Sequence, residues 1–398
     1  MRSFYPLIFS IIFILFFGLL EIFLLRLLNK VWWKKRLVRY AAIGLPIFGS
    51  LMVLLWALGE YNTIGWLAFT GAILAVTAFI LEFALMLSLP VSGALHLFRH
   101  LVDFIAKKKS GQANEVIDQK RRLFLKTAAV AVPAITVVGA VSGITNSFHE
   151  VNVYRRKLFY KDLPEELEGL KIFHLSDPHL HHYVTLSDLE DVLTAAEKFR
   201  PDITLVTGDI ADDLNLLAEA LNMIEQLNSP LGSFASLGNH EYFRGVKRVK
   251  RIFDKSHTPL LVDEGLILPV GNLKLMIGGA DDPVRMRVRS VEFFRTSIDY
   301  LLSRQPLGDF SILMSHRPYA LDYASEKEFD MVLAGHTHGG QIGFMGRSVF
   351  ESVWPDRYLW GEYSMGKTKL YTSSGMGHWF PFRLGCPCEA PILELHRA

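Results

Sequence analysis

KIFHLSDPH, residues 171–179, passes from β-branched and aliphatic residues through a serine to an aspartate and a histidine. Four later stretches close in the same way: DITLVTGD (202–209), SFASLGNHE (233–241), FSILMSHRP (310–318) and MVLAGHTHGG (331–340). Each reads as a short buried strand that meets a Gly or Ser and then a side chain able to bind a metal. Asp177, His179, Asp209, Asn239, His316, His336 and His338 are therefore predicted to converge at one edge of a sheet. Carboxyl ends of strands in α/β sheets are where rigid strands hold loops that project side chains into one crevice. Intervals of 32, 30, 77 and 20 residues separate Asp177, Asp209, Asn239, His316 and His336, and parallel strands need room for a crossover helix. Helical apolar spacing over Leu186–Phe199 and Leu214–Leu227 fills the first two intervals, and Val291–Leu302 reads as a further helix.

Outward from these stretches the chain divides in two. Its 398 residues exceed one compact core. Up to Glu150 there are 15 Lys and Arg against 7 Asp and Glu, net +8; the remainder holds 27 against 33, net −6. The expected organisation is a membrane region over 1–150 and a soluble domain over 151–398. Cys386 and Cys388 form a Cys-Pro-Cys triplet, too few for a disulfide framework or a thiolate zinc site, and read as packed thiols.

Apolar stretches of bilayer-spanning length run from Phe4 to Leu25, Ala41 to Leu58 and Ile64 to Leu89, with a milder fourth from Thr127 to Thr145. Arg26, Lys30, Lys34, Lys35, Arg36 and Arg39 lie between the first two. The segment before the fourth carries Arg99, Lys107, Lys108, Lys109, Lys120, Arg121, Arg122 and Lys126, whereas Gly59–Thr63 has no cation and the N-terminus only Arg2. By the positive-inside rule the two basic segments face the cytoplasm, and alternation sends everything after the fourth span outside. KRRLFLK (120–126) resembles a twin-arginine export signal placed internally. No small-residue cleavage site follows it, so a retained anchor is expected. Glu21 and Glu82 fall within spans, where ionisable groups are costly; Glu21 is placed to snorkel from a cytoplasmic end, and Glu82 to make a contact between helices.

Taken together and in order, Asp-x-His at 177–179, Gly-Asp at 208–209, Gly-Asn-His-Glu at 238–241, the lone His316 and Gly-His-x-His at 335–338 resemble the calcineurin-like metallophosphoesterase superfamily. The resemblance covers about Leu163 to Leu395, and GLKIFHLSD and GHTHGGQ look like its bacterial, membrane-associated branch. It implies an α/β four-layer sandwich, two mixed β-sheets face to face with helices outside, preceded here by an all-α transmembrane region. It also implies that Asp177, His179, Asp209 and His338 hold one metal ion and Asp209, Asn239, His316 and His336 another, with Asp209 shared. Mixed carboxylate, amide and imidazole donors suit Mn, Fe or Zn. Two such ions about 3.5 to 4 Å apart turn a shared water into hydroxide and clamp the phosphoryl oxygens.

By the same resemblance His240 protonates the leaving oxygen or stabilises transferring charge. Of the other histidines, His174 reads as core, and His181, His182 and His378 read first as structural residues, with a place bordering the cleft as the alternative. Arg317 and Arg383 are placed either to grip phosphate or to sit in surface salt bridges. The expected partners are membrane lipids and a phosphoester substrate; net charge −6 lacks the basic surface that nucleic acid demands, apart from a patch at Lys247–Arg251. The expected location is the bacterial inner membrane, multi-pass, with the catalytic domain on the periplasmic or extracellular side. Some relatives in this branch hydrolyse the pyrophosphate of UDP-2,3-diacylglucosamine, a lipid A precursor, but that substrate is cytoplasmic. A transporter or sensor with an appended phosphoesterase domain is the remaining alternative, and two intramembrane acids are a thin basis for transport.

Overall fold

The computed structural model describes residues 5–62, 64–109, 115–284, 290–354, 357–378 and 380–398. Arg2 and the side chains of Lys107, Lys108, Lys109, Lys120, Arg121 and Arg122 lie outside the described set, so the Lys-Arg-Arg part of the proposed export signal is represented by helical backbone alone. The chain forms two compact units, Met1–Thr145 and Asn146–Ala398.

The first unit is helical. Helices Tyr5–Leu27, Arg36–Tyr61, Gly65–Lys109 and Glu115–Asn146 each contain a stretch long and apolar enough to cross a membrane. The third differs from the sequence expectation. Instead of ending near Leu89 it runs through Pro90 for 45 residues, because the basic segment that follows is made of good helix formers that only the missing N–H of one proline interrupts. A polar network ties helices together inside this unit. Asn29 Nδ2 donates to the Leu89 carbonyl at 3.1 Å, and Ser92 Oγ lies 3.1 Å from Asn29 Oδ1 and 2.7 Å from the Ala129 carbonyl. Glu82 is fully buried with both carboxyl oxygens unpartnered. Glu21 is also buried, at 3 % exposure, so it faces neighbouring helices and does not snorkel.

The second unit is built on two sheets. Its strands are β1 (Arg155–Tyr160), β2 (Lys171–Leu175), β3 (Ile203–Thr207), β4 (Ser233–Ser236), β5 (Glu264–Val270), β6 (Leu273–Gly279), β7 (Phe310–Met314), β8 (Met331–Ala334), β9 (Gly343–Phe344), β10 (Arg347–Ser348), β11 (Gly361–Met365), β12 (Thr368–Thr372) and β13 (Ile392–Arg397). One sheet has the order β1-β13-β2-β3-β4, the other β11-β12-β8-β7-β6-β5, and β9 and β10 form a separate hairpin. β2, β3 and β4 run parallel, as do β6, β7, β8 and β12, while β13 is antiparallel to β2 and β5 and β11 are antiparallel edges. Both sheets are therefore mixed.

Strand alternation assigns each face. Ile172, Ile203, Leu205 and Phe234 of the first sheet meet Leu275, Ile277, Ile312, Met314 and Leu333 of the second in a core between the sheets. Phe173, Leu175 and Val206 point the other way, against helices Leu186–Glu197, Leu217–Gln226 and Val246–Phe253. Met276, Leu313 and Val332 pack likewise against helices Ser290–Arg304 and Ala320–Glu326. The result is the expected four-layer sandwich. Its central strands are buried on both faces, which is why they read as continuous apolar runs and not as alternating ones. Each fully buried aliphatic chain contributes roughly 1.5–3 kcal/mol, so the strand ends that carry the site are held by cores on two sides.

Candidate metal centre

All seven predicted ligands emerge at carboxyl ends of parallel strands. Asp177 and His179 follow β2, Asp209 follows β3, Asn239 follows β4, His316 follows β7, and His336 and His338 follow β8. Both sheets thus contribute to one crevice. The turns that aim the ligands are strained: Asp177, His179, Asp209, His336 and His338 have φ between 48° and 68°, in the left-handed region. That conformation costs an L-residue roughly 1–2 kcal/mol and persists where surrounding structure over-determines it, as at functional sites. One close approach makes this possible. A Cβ on Gly238 would collide with the Asp209 carboxylate, so only glycine lets the β3 and β4 loops meet there.

The donors form two clusters. In the first, His338 Nε2 lies 3.3 Å from His179 Nε2 and 3.5 Å from Asp177 Oδ1, and His179 Nε2 is 3.6 Å from Asp209 Oδ2. In the second, His316 Nε2 lies 3.1 Å from Asp209 Oδ2 and 3.2 Å from His336 Nδ1. Asp209 faces both. Asn239 is 6 % exposed, and its Oδ1 is buried without a protein partner. A buried carbonyl oxygen left unpaired costs about 1–3 kcal/mol, so an acceptor in this position fits a ligand atom better than a packing atom.

Tautomers point the same way. The His316 ring presents Nδ1 to the Thr207 carbonyl at 2.8 Å, and His179 presents Nδ1 to Asp212 Oδ2 at 3.3 Å. With the proton on Nδ1 the Nε2 lone pair is left facing the carboxylates, the usual preparation of a metal-binding imidazole. Burial opposes the charged form of His179, but hydrogen bonds to Asp177 and Asp212 and the Asp209 charge outweigh it and raise the ring to about 10. His316 is raised to about 10 against the same penalty by the Asp209 and Asp177 charges. His336 and His338 go far below the ordinary value, chiefly through burial. Burial would raise Asp209 and Asp212, yet the neighbouring histidines keep both carboxylates well below the usual range.

His240 sits at the rim, 16 % exposed at its side chain, with Nε2 4.0 Å from Asp209 Oδ2 and Nδ1 2.5 Å from Asp212 Oδ1. His179, Asp209 and His240 also make a third possible donor group, because Asp212 holds Nδ1 of His240 and leaves Nε2 on the Asp209 side. Asp212 was not singled out by sequence reasoning. It bridges His179 and His240 and accepts from Arg244 Nε at 3.0 Å; the Asp-x-x-Asp spacing within GDIADD was its only signal. Glu241 was missed as well. Its carboxylate accepts from the backbone N–H groups of Asp209, Ile210 and Gly238 at 2.8–2.9 Å and so ties the β3 and β4 loops together.

Neither arginine forms a surface salt bridge. Arg317, buried at 4 % exposure, is held by Asp282 at 2.8 Å and brings Nη1 to 3.1 Å from His336 Nε2 on the cleft wall. Arg383, at 1 %, donates to the carbonyls of His338, Ser374 and Gly377 and faces His338 Nδ1 at 2.9 Å, so it braces the β8 loop. His174 is buried and paired with Thr207 Oγ1 at 3.0 Å. His181 and His182 stack on each other, outside the lining of the metal cleft. His378 lines a second cavity, between Phe148 and Tyr183. Cys386 and Cys388 are free and buried, as the composition implied. The basic stretch at Lys247–Arg251 is part of an amphipathic helix that buries Val249 and Phe253.

Residues 170–340 match the family model described as calcineurin-like phosphoesterase. An uncharacterized metallophosphoesterase of Aquifex aeolicus is 32 % identical over 266 residues, spanning 65 % of this chain and 96 % of that protein. The chain belongs to the calcineurin-like metallophosphoesterases. It is a metal-dependent phosphoester hydrolase. A Campylobacter jejuni metallophosphoesterase is 27 % identical over 98 % of both chains, so this alignment includes the apolar helices. The phosphodiesterase YaeI of Escherichia coli is 24 % identical over 69 % of this chain and 98 % of its own. In this phosphoesterase the five family motifs and the two donor clusters coincide in a crevice to which both sheets contribute, and not at the edge of a single sheet as the sequence suggested.

Proposed function

We propose that this phosphoesterase is anchored in the membrane by its four apolar helices, carries two metal ions, and hydrolyses a phosphomonoester or phosphodiester of the envelope on the outer face. The observation that carries the reading is a pair of donor clusters, Asp177, His179 and His338 in one and Asp209, His316 and His336 in the other, with Asp209 Oδ2 3.6 Å from His179 Nε2 and Asn239 Oδ1 buried and unpartnered. Asp177, His179, Asp209 and His338 would hold one ion, and Asp209, Asn239, His316 and His336 the other. Bound Mn, Fe or Zn supplies Lewis acidity toward phosphoryl oxygens and acidifies water. The chain's own residues do the rest. Arg317, fixed by Asp282, presents a guanidinium to the non-bridging oxygens, where its planar donors match phosphate geometry. His240, oriented by Asp212 through Nδ1, carries a proton on Nε2, the nitrogen on the Asp209 side, to the leaving oxygen. A cleft of about 730 Å³, walled partly by Phe243, Phe350 and Trp354, is larger than a phosphoryl group needs and leaves room for an apolar substituent.

Outward orientation follows from the loop charges of the first unit, and it disfavours the cytoplasmic lipid A precursor as substrate. Purified protein loaded with Mn, Fe or Zn should turn over an artificial phosphodiester, and reporter fusions placed after Glu150 should be active only outside the cytoplasm. A cytoplasmic signal there overturns the orientation and restores the lipid A precursor; absence of both metal and turnover overturns the activity.

A further inference from the structure

Five of the nine exposed large hydrophobic residues among the described residues of the catalytic unit fall between 344 and 354: Phe344, Met345, Val349, Val353 and Trp354. A sixth, Phe243, lines the metal cleft together with Trp354. Apolar residues scattered singly are ordinary on a protein surface, whereas a contiguous group beside an active site marks an interaction surface. The hairpin tip is the clearest case. Met345 and Gly346 connect β9 to β10 with φ of 51° and 79°, a two-residue turn in which Asn, Asp and Gly are the favoured residues. Methionine is the most exposed of the group, at 88 %. Turn chemistry does not call for it there, and its side chain has no packing partner to serve.

The position of the patch identifies its occupant. The chain enters the catalytic unit at Phe148, two residues after the fourth apolar helix ends at Asn146, so Phe148 is within about 7 Å of chain length of that helix end. Phe148 packs against His378 with ring centroids 5.6 Å apart. The same loop carries Phe380, whose carbonyl accepts from Gln341 Nε2 at 3.2 Å, and Leu384, which pairs by backbone with Gln341 and Gly343 at the base of the hairpin. Six residues of sequence separate His378, which Phe148 contacts, from Leu384 at the base of the hairpin. Arg357 flanks the patch, stacked on Trp354 at 5.3 Å, while Arg347 within it is paired with Glu351 at 3.2 Å. Cations beside apolar and aromatic groups suit an interface carrying anionic headgroups.

We propose that this hairpin docks on the lipid bilayer to which the chain is tethered, so that the metal cleft opens at headgroup level and takes its phosphoester from the membrane surface. The inference rests on the membrane-linked reading above and narrows its substrate class to amphiphiles with a phosphoester at the headgroup. The test uses the full chain reconstituted in vesicles of phosphatidylethanolamine and phosphatidylglycerol with brominated acyl chains. An environment-sensitive fluorophore on Met345→Cys should lose most of its emission to bromine quenching, whereas the same label on Lys255→Cys, beyond the far end of helix 246–253, should not. Phe344→Ser, Met345→Ser and Val353→Ser combined should leave hydrolysis of a water-soluble nitrophenyl diester unchanged. Hydrolysis of an acyl-anchored nitrophenyl diester in the same vesicles should fall by at least about tenfold, since burial of three apolar side chains is lost. Equal quenching at the two positions, or an unchanged preference between the two diesters in the triple variant, overturns the docking. Failure to hydrolyse either diester, with quenching confined to Met345→Cys, instead overturns the catalytic reading and leaves the docking supported.

Discussion

Asp212→Asn tests the catalytic division of labour, because the Asp212 carboxylate reaches His240 with one oxygen and His179 with the other, at 2.5 and 3.3 Å. Replacing it by the amide keeps the shape and removes the charge. A hydrogen bond to a charged partner is worth about 1.5–3 kcal/mol, and each 1.36 kcal/mol is tenfold in rate, so turnover should fall roughly 10- to 150-fold. The loss should be large for a phenyl ester, whose leaving oxygen needs a proton, and small for a nitrophenyl ester, which leaves without one. Because Asp212 also steers His179, metal affinity should weaken about 10- to 100-fold, and the comparison belongs at saturating metal. His240→Ala alone should cost roughly 10²- to 10⁴-fold with metal content retained. If Asp212 acts through His240, Asp212→Asn adds little in the His240→Ala background, as coupled residues behave in a double-mutant cycle. Equal penalties for both esters, or fully multiplicative losses in the double variant, would refute a general-acid role for the pair.

Three further outcomes follow from other parts of the site. Asp209→Asn neutralises a carboxylate whose Oδ2 lies 3.1 Å from His316 Nε2 and 3.6 Å from His179 Nε2, one in each cluster, so metal content and rate should drop together in elemental analysis and assay, unlike in His240→Ala. Gly238→Ala forces a Cβ into the Asp209 carboxylate and should lower stability by about 1–3 kcal/mol, read as a lower thermal midpoint with reduced metal binding. Burial lowers both His174 and His378 to about 3, whereas the unfolded chain takes up those protons near pH 6.5. Their contribution is thus fully present above about pH 6.5 and declines by roughly 1.4 kcal/mol per pH unit per histidine down to about pH 3. His378→Phe, which keeps the ring between Phe148 and Tyr183, should raise the thermal midpoint more at about pH 5 than at about pH 8; an equal shift at both would show that His378 does not titrate in this way.

Much of the site was legible because its ligands lie next to one another in sequence with the strands that aim them. An apolar run ending in Gly-Asp or Gly-His-x-His carries both the strand and its ligand, and all seven ligands lie at the predicted strand ends. Elements set by distant contacts were not legible. β13 inserts between β1 and β2 although more than two hundred residues of sequence separate it from either. Arg317 and Arg383 look like any surface arginine in sequence; only Asp282 and the carbonyls of the 374–377 loop, brought in by the fold, explain their burial. Asp212 stands among three acids within GDIADD, and only the turn after β3 selects which of them meets His240. In the first unit, hydropathy located the helices but overlooked the extension of the third to Lys109, since a helix can outlast its apolar stretch.

The most direct test of the account is elemental analysis of the purified full chain after growth with Mn, Fe and Zn supplied, paired with hydrolysis of an artificial phosphodiester. The two donor clusters predict close to two ions per chain and turnover that chelation abolishes and metal restores. A chain that binds no metal and shows no turnover under these conditions would contradict the binuclear site on which the proposed mechanism rests.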